Sequence, residues 1–308
     1  MVITPEQFTY RGLIAPVLTP FNNDKKKSLN LTDITRYAKF LKDAGIEGIL
    51  VNGTSGEGMS MNVEERKLVA EAWKKAASTT NLHLMIQVGG APLPDVLELA
   101  RHAESLGVDS IMTLPELYFK PKNPVELTHY LKLVSAAAPN TPLLYYHIPR
   151  YSGVSVHMGD FLNQVDGKID TFVGIKFTST VLDEGIAAVR AGNGRYAVFL
   201  GADDLMVGAY SLGFDSAIAT SLNMWPKYGL NILKQVKDNN VNKALTTQKE
   251  LSTAIKHANQ YGEWVPIMKA AMNLTTPINV GVPRDPLLTL TPQQVQSFES
   301  DLRKLKFL

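Results

Sequence analysis

The chain has 308 residues, 45% hydrophobic and 19% charged, which allows a large core and suits one barrel-sized domain. Its net charge is +2, and Lys25-Lys26-Lys27, the one dense basic run, follows the turn-like Asn22-Asn23-Asp24 and reads as a solvated loop, so no nucleic-acid face is expected. There is no cysteine, which excludes disulfides and thiolate metal sites. No leader-like start and no stretch of about 18 uncharged apolar residues occurs, so a cytoplasmic protein without a membrane span is expected.

From Gly12 to about Asp238, short apolar runs rich in β-formers alternate with amphipathic stretches. The strands predicted are Leu13–Thr19, Gly48–Asn52, His83–Val88, Ser110–Thr113, Leu143–Tyr146, Phe172–Phe177, Ala197–Leu200 and Ser216–Ala219. Between and after them the periodicity predicts helices over Leu31–Ala44, Val63–Ala77, Asp95–Leu106, Val125–Ala138 and Leu230–Lys237. Strands separated by helices imply right-handed crossovers and a parallel sheet, and eight such units favour a closed (β/α)₈ TIM barrel over an open sheet. A dinucleotide-binding sheet would carry Gly-x-Gly-x-x-Gly after the first strand, where this chain has Thr19-Pro20-Phe21. Three further helices, Val241–Gln260, Val265–Asn273 and Pro292–Lys306, form a C-terminal helical extension with no Gly/Ser linker before it. The expected organisation is one domain over 1–308, with the barrel at about 10–238 and the extension at about 239–308.

Barrel chemistry sits at the C-terminal ends of the strands. The sixth strand ends in Lys176, and alternation places Phe172, Gly174, Lys176 and Thr178 on one face, with Val173, Ile175 and Phe177 on the other. The wholly apolar set suits the helix-facing side, and Gly174 suits a crowded interior. A lysine withdrawn from water in this way gives up its proton more readily and becomes a nucleophile towards carbonyls. Periodicity leaves equally open a lysine that reaches out to solvent. On the fifth strand, Tyr146 shares a face with Leu144, while Tyr145 and His147 share the other. A tyrosine at a barrel mouth can relay a proton, although by itself Tyr146 reads better as a core aromatic with a satisfied hydroxyl. After the second strand, Gly53-Thr54-Ser55-Gly56-Glu57-Gly58 can turn N–H groups and hydroxyls towards an anion such as a carboxylate, or serve as a plain turn. The six histidines lack metal-ligand spacing and no serine has a nucleophile-elbow context, so neither a metal mechanism nor a Ser-His-Asp hydrolase is expected.

These motifs, in this order and each after its expected strand, make the chain resemble the dihydrodipicolinate synthase/N-acetylneuraminate lyase family from Gly12 to Arg284. Its most specific parts are Gly53-Thr54-Ser55-Gly56-Glu57, Tyr146-His147-Ile148-Pro149 with Gly153, and Gly174-Ile175-Lys176-Phe177. Within the family, the stretches Val51–Gly58, Tyr145–Pro149 and Lys269–Leu274 are most similar to the animal-type lyase branch. The resemblance implies a class I aldolase without metal or organic cofactor, in which Lys176 forms an imine with the C2 carbonyl of a 2-keto acid. It gives Tyr146 the proton shuttle and Thr54 and Ser55 the carboxylate. Thr178, Gly201, Asp203, Asp204 and Thr220 become candidates for binding the rest of the substrate. For the lyase branch the reaction is retro-aldol cleavage of N-acetylneuraminate to N-acetylmannosamine and pyruvate. The resemblance also implies a homotetramer, with Tyr118 reaching into a neighbouring subunit's site.

Departures fall where the sugar would be read. Gly201-Ala202-Asp203-Asp204 stands where the lyases have Gly-x-Asp-Glu, Ala219-Thr220-Ser221-Leu222-Asn223 replaces Gly-Ser-Thr-Tyr-Asn, and Arg150 replaces a small residue. An aldolase for another 2-keto acid, such as a 2-keto-3-deoxy sugar acid or a hydroxy-oxoglutarate, is therefore the alternative. A non-catalytic keto-acid-binding barrel is a third reading, because fold alone does not give function.

Overall fold

The computed structural model describes residues 4–308. Its eight strands are β1 (Leu13–Pro16), β2 (Gly48–Val51), β3 (His83–Gln87), β4 (Ser110–Thr113), β5 (Leu143–His147), β6 (Phe172–Phe177), β7 (Ala197–Leu200) and β8 (Ser216–Ile218). They form one closed parallel barrel in sequence order, as the alternation predicts. The helices interleaved with and following them are α1 (Ile34–Asp43), α2 (Val63–Thr80), α3 (Leu93–Ser105), α4 (Pro124–Ala137), α5 (Pro149–Ser152), α6 (Met158–Val165), α7 (Leu182–Arg190), α8 (Met206–Ser211) and α9 (Pro226–Lys237). The extension adds α10 (Val241–Ala258), α11 (Trp264–Thr275) and α12 (Pro292–Lys304).

Strands β4, β6 and β7 begin and end where the sequence pattern places them, and β1 differs most. It stops at Pro16: the Val17 N–H still donates to the Leu50 carbonyl at 3.0 Å, but the Leu18 N–H turns to the Tyr37 hydroxyl at 3.4 Å and Thr19 Oγ1 donates to the Gly56 carbonyl at 2.6 Å. The short helices α5 to α8 carry too few turns for a periodic signal and are absent from the sequence expectation. The long helices have clear punctuation. Asn62 caps α2 reciprocally with Glu65, and Thr291 caps α12 with Gln294, each pair satisfying two otherwise unbonded backbone N–H groups.

The described chain divides into two compact units. One holds the residues up to Leu13 together with His83–Ile218; the other holds Ile14–Leu82 and Ala219–Leu308. In the first, β5 and β6 pair along their length, with an irregularity between Leu143 and Leu144. Their register sets Tyr145 beside Ile175, Tyr146 beside Lys176 and His147 beside Phe177. Gly174 pairs with Ala197 on β7, and a Cβ at that position would run into the Ala197 carbonyl, so the two strands approach too closely there for any residue but glycine. The opposite strand faces carry aromatic contacts: Tyr145 lies against Phe161 of α6 with ring centroids 5.6 Å apart, and Phe177 against Phe214, in the segment between α8 and β8, at 6.2 Å. In the second unit, Tyr37 of α1 donates to the Asn223 side chain at 2.6 Å, and Asn223 donates in turn to the Pro16 carbonyl at 2.9 Å. That chain ties α1, β1 and the segment after β8 together.

Candidate active site

In the first unit, Lys176 is 4% exposed and Tyr146 is 2% exposed, so both are buried. Lys176 Nζ donates to the Tyr146 hydroxyl at 3.1 Å, and also lies 4.2 Å from the centroid of the tyrosine ring. The pairing follows from register: two interior-facing positions directly opposite on adjacent parallel strands must meet. The amine and phenol are therefore close enough to exchange a proton. Of the two ways Lys176 could point, the geometry takes the inward one.

Thr178 continues the same face beyond β6, with its backbone N–H donating to the His147 carbonyl at 2.8 Å. Its Oγ1 is buried without a hydrogen-bond partner, a state a substrate hydroxyl or carboxylate oxygen would relieve. Gly201 lies against Thr178, and a Cβ there would overlap the threonine side chain. Asp203 and Asp204 open a 3₁₀ turn after β7 that separates them: Asp203 is buried and Asp204 is exposed. Arg150, on α5, is exposed, and Tyr118 is 84% exposed, its ring edge-on to Phe119.

On the far face of β5, His147 stacks on Phe177 with centroids 5.4 Å apart. Burial holds its imidazole down to about pKa 4, with a smaller push from His157, although Glu184 stands 3.5 Å from Nε2. The desolvation cost outweighs that carboxylate.

In the second unit, the Asn52–Gly58 loop carries Thr54 and Ser55. Asn52 and Glu57 both adopt left-handed backbone, with φ of 59° and 53°, uncommon for residues other than glycine. Gly58 is required beside them, because a Cβ would collide with the Asn52 carbonyl. Ser55 Oγ is hydrogen-bonded to Thr220 Oγ1 at 2.8 Å, and Trp264 Nε1 donates to the same Thr220 oxygen at 3.2 Å. Glu57 is buried, with one oxygen 2.6 Å from Lys269 Nζ and the other accepting the Arg284 backbone N–H at 2.7 Å. Sequence reading assigned no role to Trp264, Glu57 or Lys269. Only the placement of Lys269 in a family-like stretch marked it, since contacts between the loop and α11 have no local signature.

The sequence model of the dihydrodipicolinate synthetase family matches residues 9–305. The chain belongs to this family. Mouse N-acetylneuraminate lyase is 33% identical over 300 residues, covering 97% of this chain and 93% of that protein. Among solved structures of similar fold, the N-acetylneuraminate lyase (sialic acid aldolase) of Aliivibrio salmonicida superposes with a TM-score of 0.91 at 33% identity, covering 97% of this chain and 98% of that one. That of Proteus mirabilis gives 0.91 at 34% identity, covering 97% and 99%. Family membership makes the buried Lys176–Tyr146 pair the place to look for aldolase chemistry. Among the described residues, no group of three or more His, Asp or Glu side chains is arranged to hold a metal ion, and no helix is long and apolar enough to cross a membrane.

Proposed function

We propose that the protein is an N-acetylneuraminate lyase working through an imine at Lys176. The observation that carries this reading is the buried amine 3.1 Å from the Tyr146 hydroxyl, in a chain of this family. The free amine attacks the C2 carbonyl of the open-chain substrate, and loss of water leaves a protonated imine. Tyr146, having given its own proton to the departing water, takes the proton of the C4 hydroxyl as a phenolate, the C3–C4 bond breaks, and its electrons flow into the imine to give an enamine. N-acetylmannosamine leaves as the aldehyde. The enamine is protonated at C3, and water hydrolyses the resulting imine to pyruvate and the free lysine. The Gly53–Glu57 motif assigns the carboxylate to the hydroxyls and backbone N–H groups of Thr54 and Ser55. The unpaired Thr178 hydroxyl and the segments at Gly201–Asp204 and Thr220 are assigned to the remainder of the substrate.

Two measurements test the reading. Incubation with N-acetylneuraminate should release pyruvate and N-acetylmannosamine in equal amounts. Borohydride added with pyruvate should leave a reduced pyruvyl group on Lys176. Labelling of another lysine, or of none, would sink the mechanism. Labelling of Lys176 with cleavage only of a shorter 2-keto acid would replace the substrate and keep the chemistry. The second reading, an aldolase for another 2-keto acid, is favoured by one specific feature: Asp204, where the lyases carry glutamate, is exposed.

The resemblance further supports a cytoplasmic homotetramer, and the exposed Tyr118 and Phe119 rings suit a subunit contact. Light scattering should find four subunits; a fully active monomer would remove Tyr118 from the site.

A further inference from the structure

The loop that carries Thr54 and Ser55 is held from below by a buried ion pair. Lys269 lies in the middle of α11, with its side chain 1% exposed against 0% for Glu57. Besides its 2.6 Å contact with Glu57, its ammonium donates to the Val282 carbonyl at 3.2 Å and sits 4.1 Å from the centroid of the Phe21 ring. Arg284 covers the same ring at 4.4 Å, makes a bidentate pair with Glu65 and gives its backbone N–H to Glu57. Both Glu57 oxygens are therefore engaged, by groups that belong to the C-terminal extension.

A buried ion pair is a poor way to stabilise a fold, since taking two charges out of water costs about what their attraction returns, and apolar side chains would serve as well. Its distinctive property is that it fixes geometry. Glu57 follows directly on Thr54-Ser55-Gly56 in a left-handed conformation, and such backbone persists only where its surroundings enforce it. We propose that Glu57 and Lys269 are positioning residues that hold Thr54 and Ser55 in the conformation that binds the substrate carboxylate. They set affinity for the 2-oxo acid and leave the bond-making step at Lys176 to proceed once the site is filled. The inference rests on the aldolase reading above.

Burial brings the Lys269 ammonium down to about pKa 8, against the opposing pull of Glu57 and with further lowering by the Arg284 and Lys27 cations that face it. Above that pH the lysine is neutral and the hold on Glu57 weakens, so affinity for the carboxylate should fall on the alkaline side.

The test is borohydride trapping of pyruvate on Lys176, followed by intact mass over a range of pyruvate concentrations. It compares wild type, Glu57→Gln, Lys269→Met and the double variant. The proposal expects the half-saturating pyruvate concentration to rise about tenfold or more in each single variant, with the labelling plateau kept. The double variant should be no worse than the worse single, because the two side chains act as one unit. A role only in folding predicts a lower plateau, in step with lost folded protein, and an unchanged half-saturation; that result overturns the proposal. Should the neutral variants fail to fold, Lys269→Arg decides. Its cation does not titrate in this range, so the wild-type rise in half-saturation above about pH 8 should disappear, and the same rise in both proteins overturns the proposal. Absence of label on wild-type Lys176 would instead defeat the aldolase reading itself.

Discussion

Lys176 and Tyr146 are opposite one another in the register of two adjacent parallel strands, and their functional atoms meet at 3.1 Å. The pairing is therefore fixed by the barrel itself, and catalysis built on it needs no loop closure to bring amine and phenol together.

The two residues should fail differently when replaced. Lys176→Ala removes the atom that bonds to substrate, so both turnover and borohydride labelling should vanish. Tyr146→Phe keeps the amine and removes the proton carrier, an effect of about 10²–10⁴-fold in rate. Label should still accumulate on Lys176 in that variant, slowly. Wild-type turnover by Tyr146→Phe, measured by pyruvate release, would assign the proton transfer to another group or to water.

Two glycines make a paired test, Gly201 beside Thr178 and Gly208 away from it. A methyl at Gly201 would overlap the Thr178 side chain, so Gly201→Ala should cost about 1–3 kcal/mol through displacement of that residue. It should also raise KM if Thr178 binds substrate. Gly208 is exposed on α8 with only Leu182 Cδ1 nearby, at 3.7 Å, and there the same change should be neutral or stabilise by up to about 1 kcal/mol. Urea denaturation of both variants checks the contrast. Equal effects would mean that Thr178 yields freely.

The buried histidine predicts an acid-side loss of stability. His147 is held to about pKa 4 in the folded protein, against about 6.5 when unfolded. Between those values the unfolded chain binds the proton and the folded chain does not. Stability contributed by neutral His147 is therefore full above about pH 6.5 and falls as the pH drops towards 4, with a slope of about 1.4 kcal/mol per pH unit at most. In His147→Gln the fall over this window should be shallower by up to that amount, and identical slopes by urea denaturation would show that His147 does not titrate as described.

The barrel was legible because strand alternation, helix periodicity and their spacing agree along the chain. For Lys176 and Tyr146, period-two alternation gave only the face each occupies on its strand, and their proposed roles came from the family-like motifs. Alternation could not decide which way Lys176 pointed, since the sequence of β6 does not show what β5 sets opposite it. The Glu57–Lys269 pair lay beyond sequence reasoning because its partners belong to a loop and a helix distant in the chain. The two aspartates after β7 stand as equal candidates in the sequence, whereas the 3₁₀ turn buries Asp203 and exposes Asp204.

That separation gives the specificity question a definite form. A glutamate at position 204 would start from the same exposed backbone site and reach one methylene further. If the substrate is N-acetylneuraminate, its polyol tail offers hydroxyls that need acceptors, and an aspartate that stops short must act through water. A direct bond to a charged acceptor is worth about 1.5–3 kcal/mol, part of which a bridging water already supplies. Asp204→Glu should then lower KM for N-acetylneuraminate by about tenfold with little change in kcat, because the tail is bound alike in ground and transition states. If the pocket is instead suited to a shorter 2-keto acid, the longer side chain gains nothing with N-acetylneuraminate and raises KM for the shorter substrate. Steady-state assays of both proteins on both substrates separate these outcomes. A third result, no change on either substrate, would place Asp204 outside the site, as its exposure already permits, and leave Asp203 as the acidic group that reads the tail.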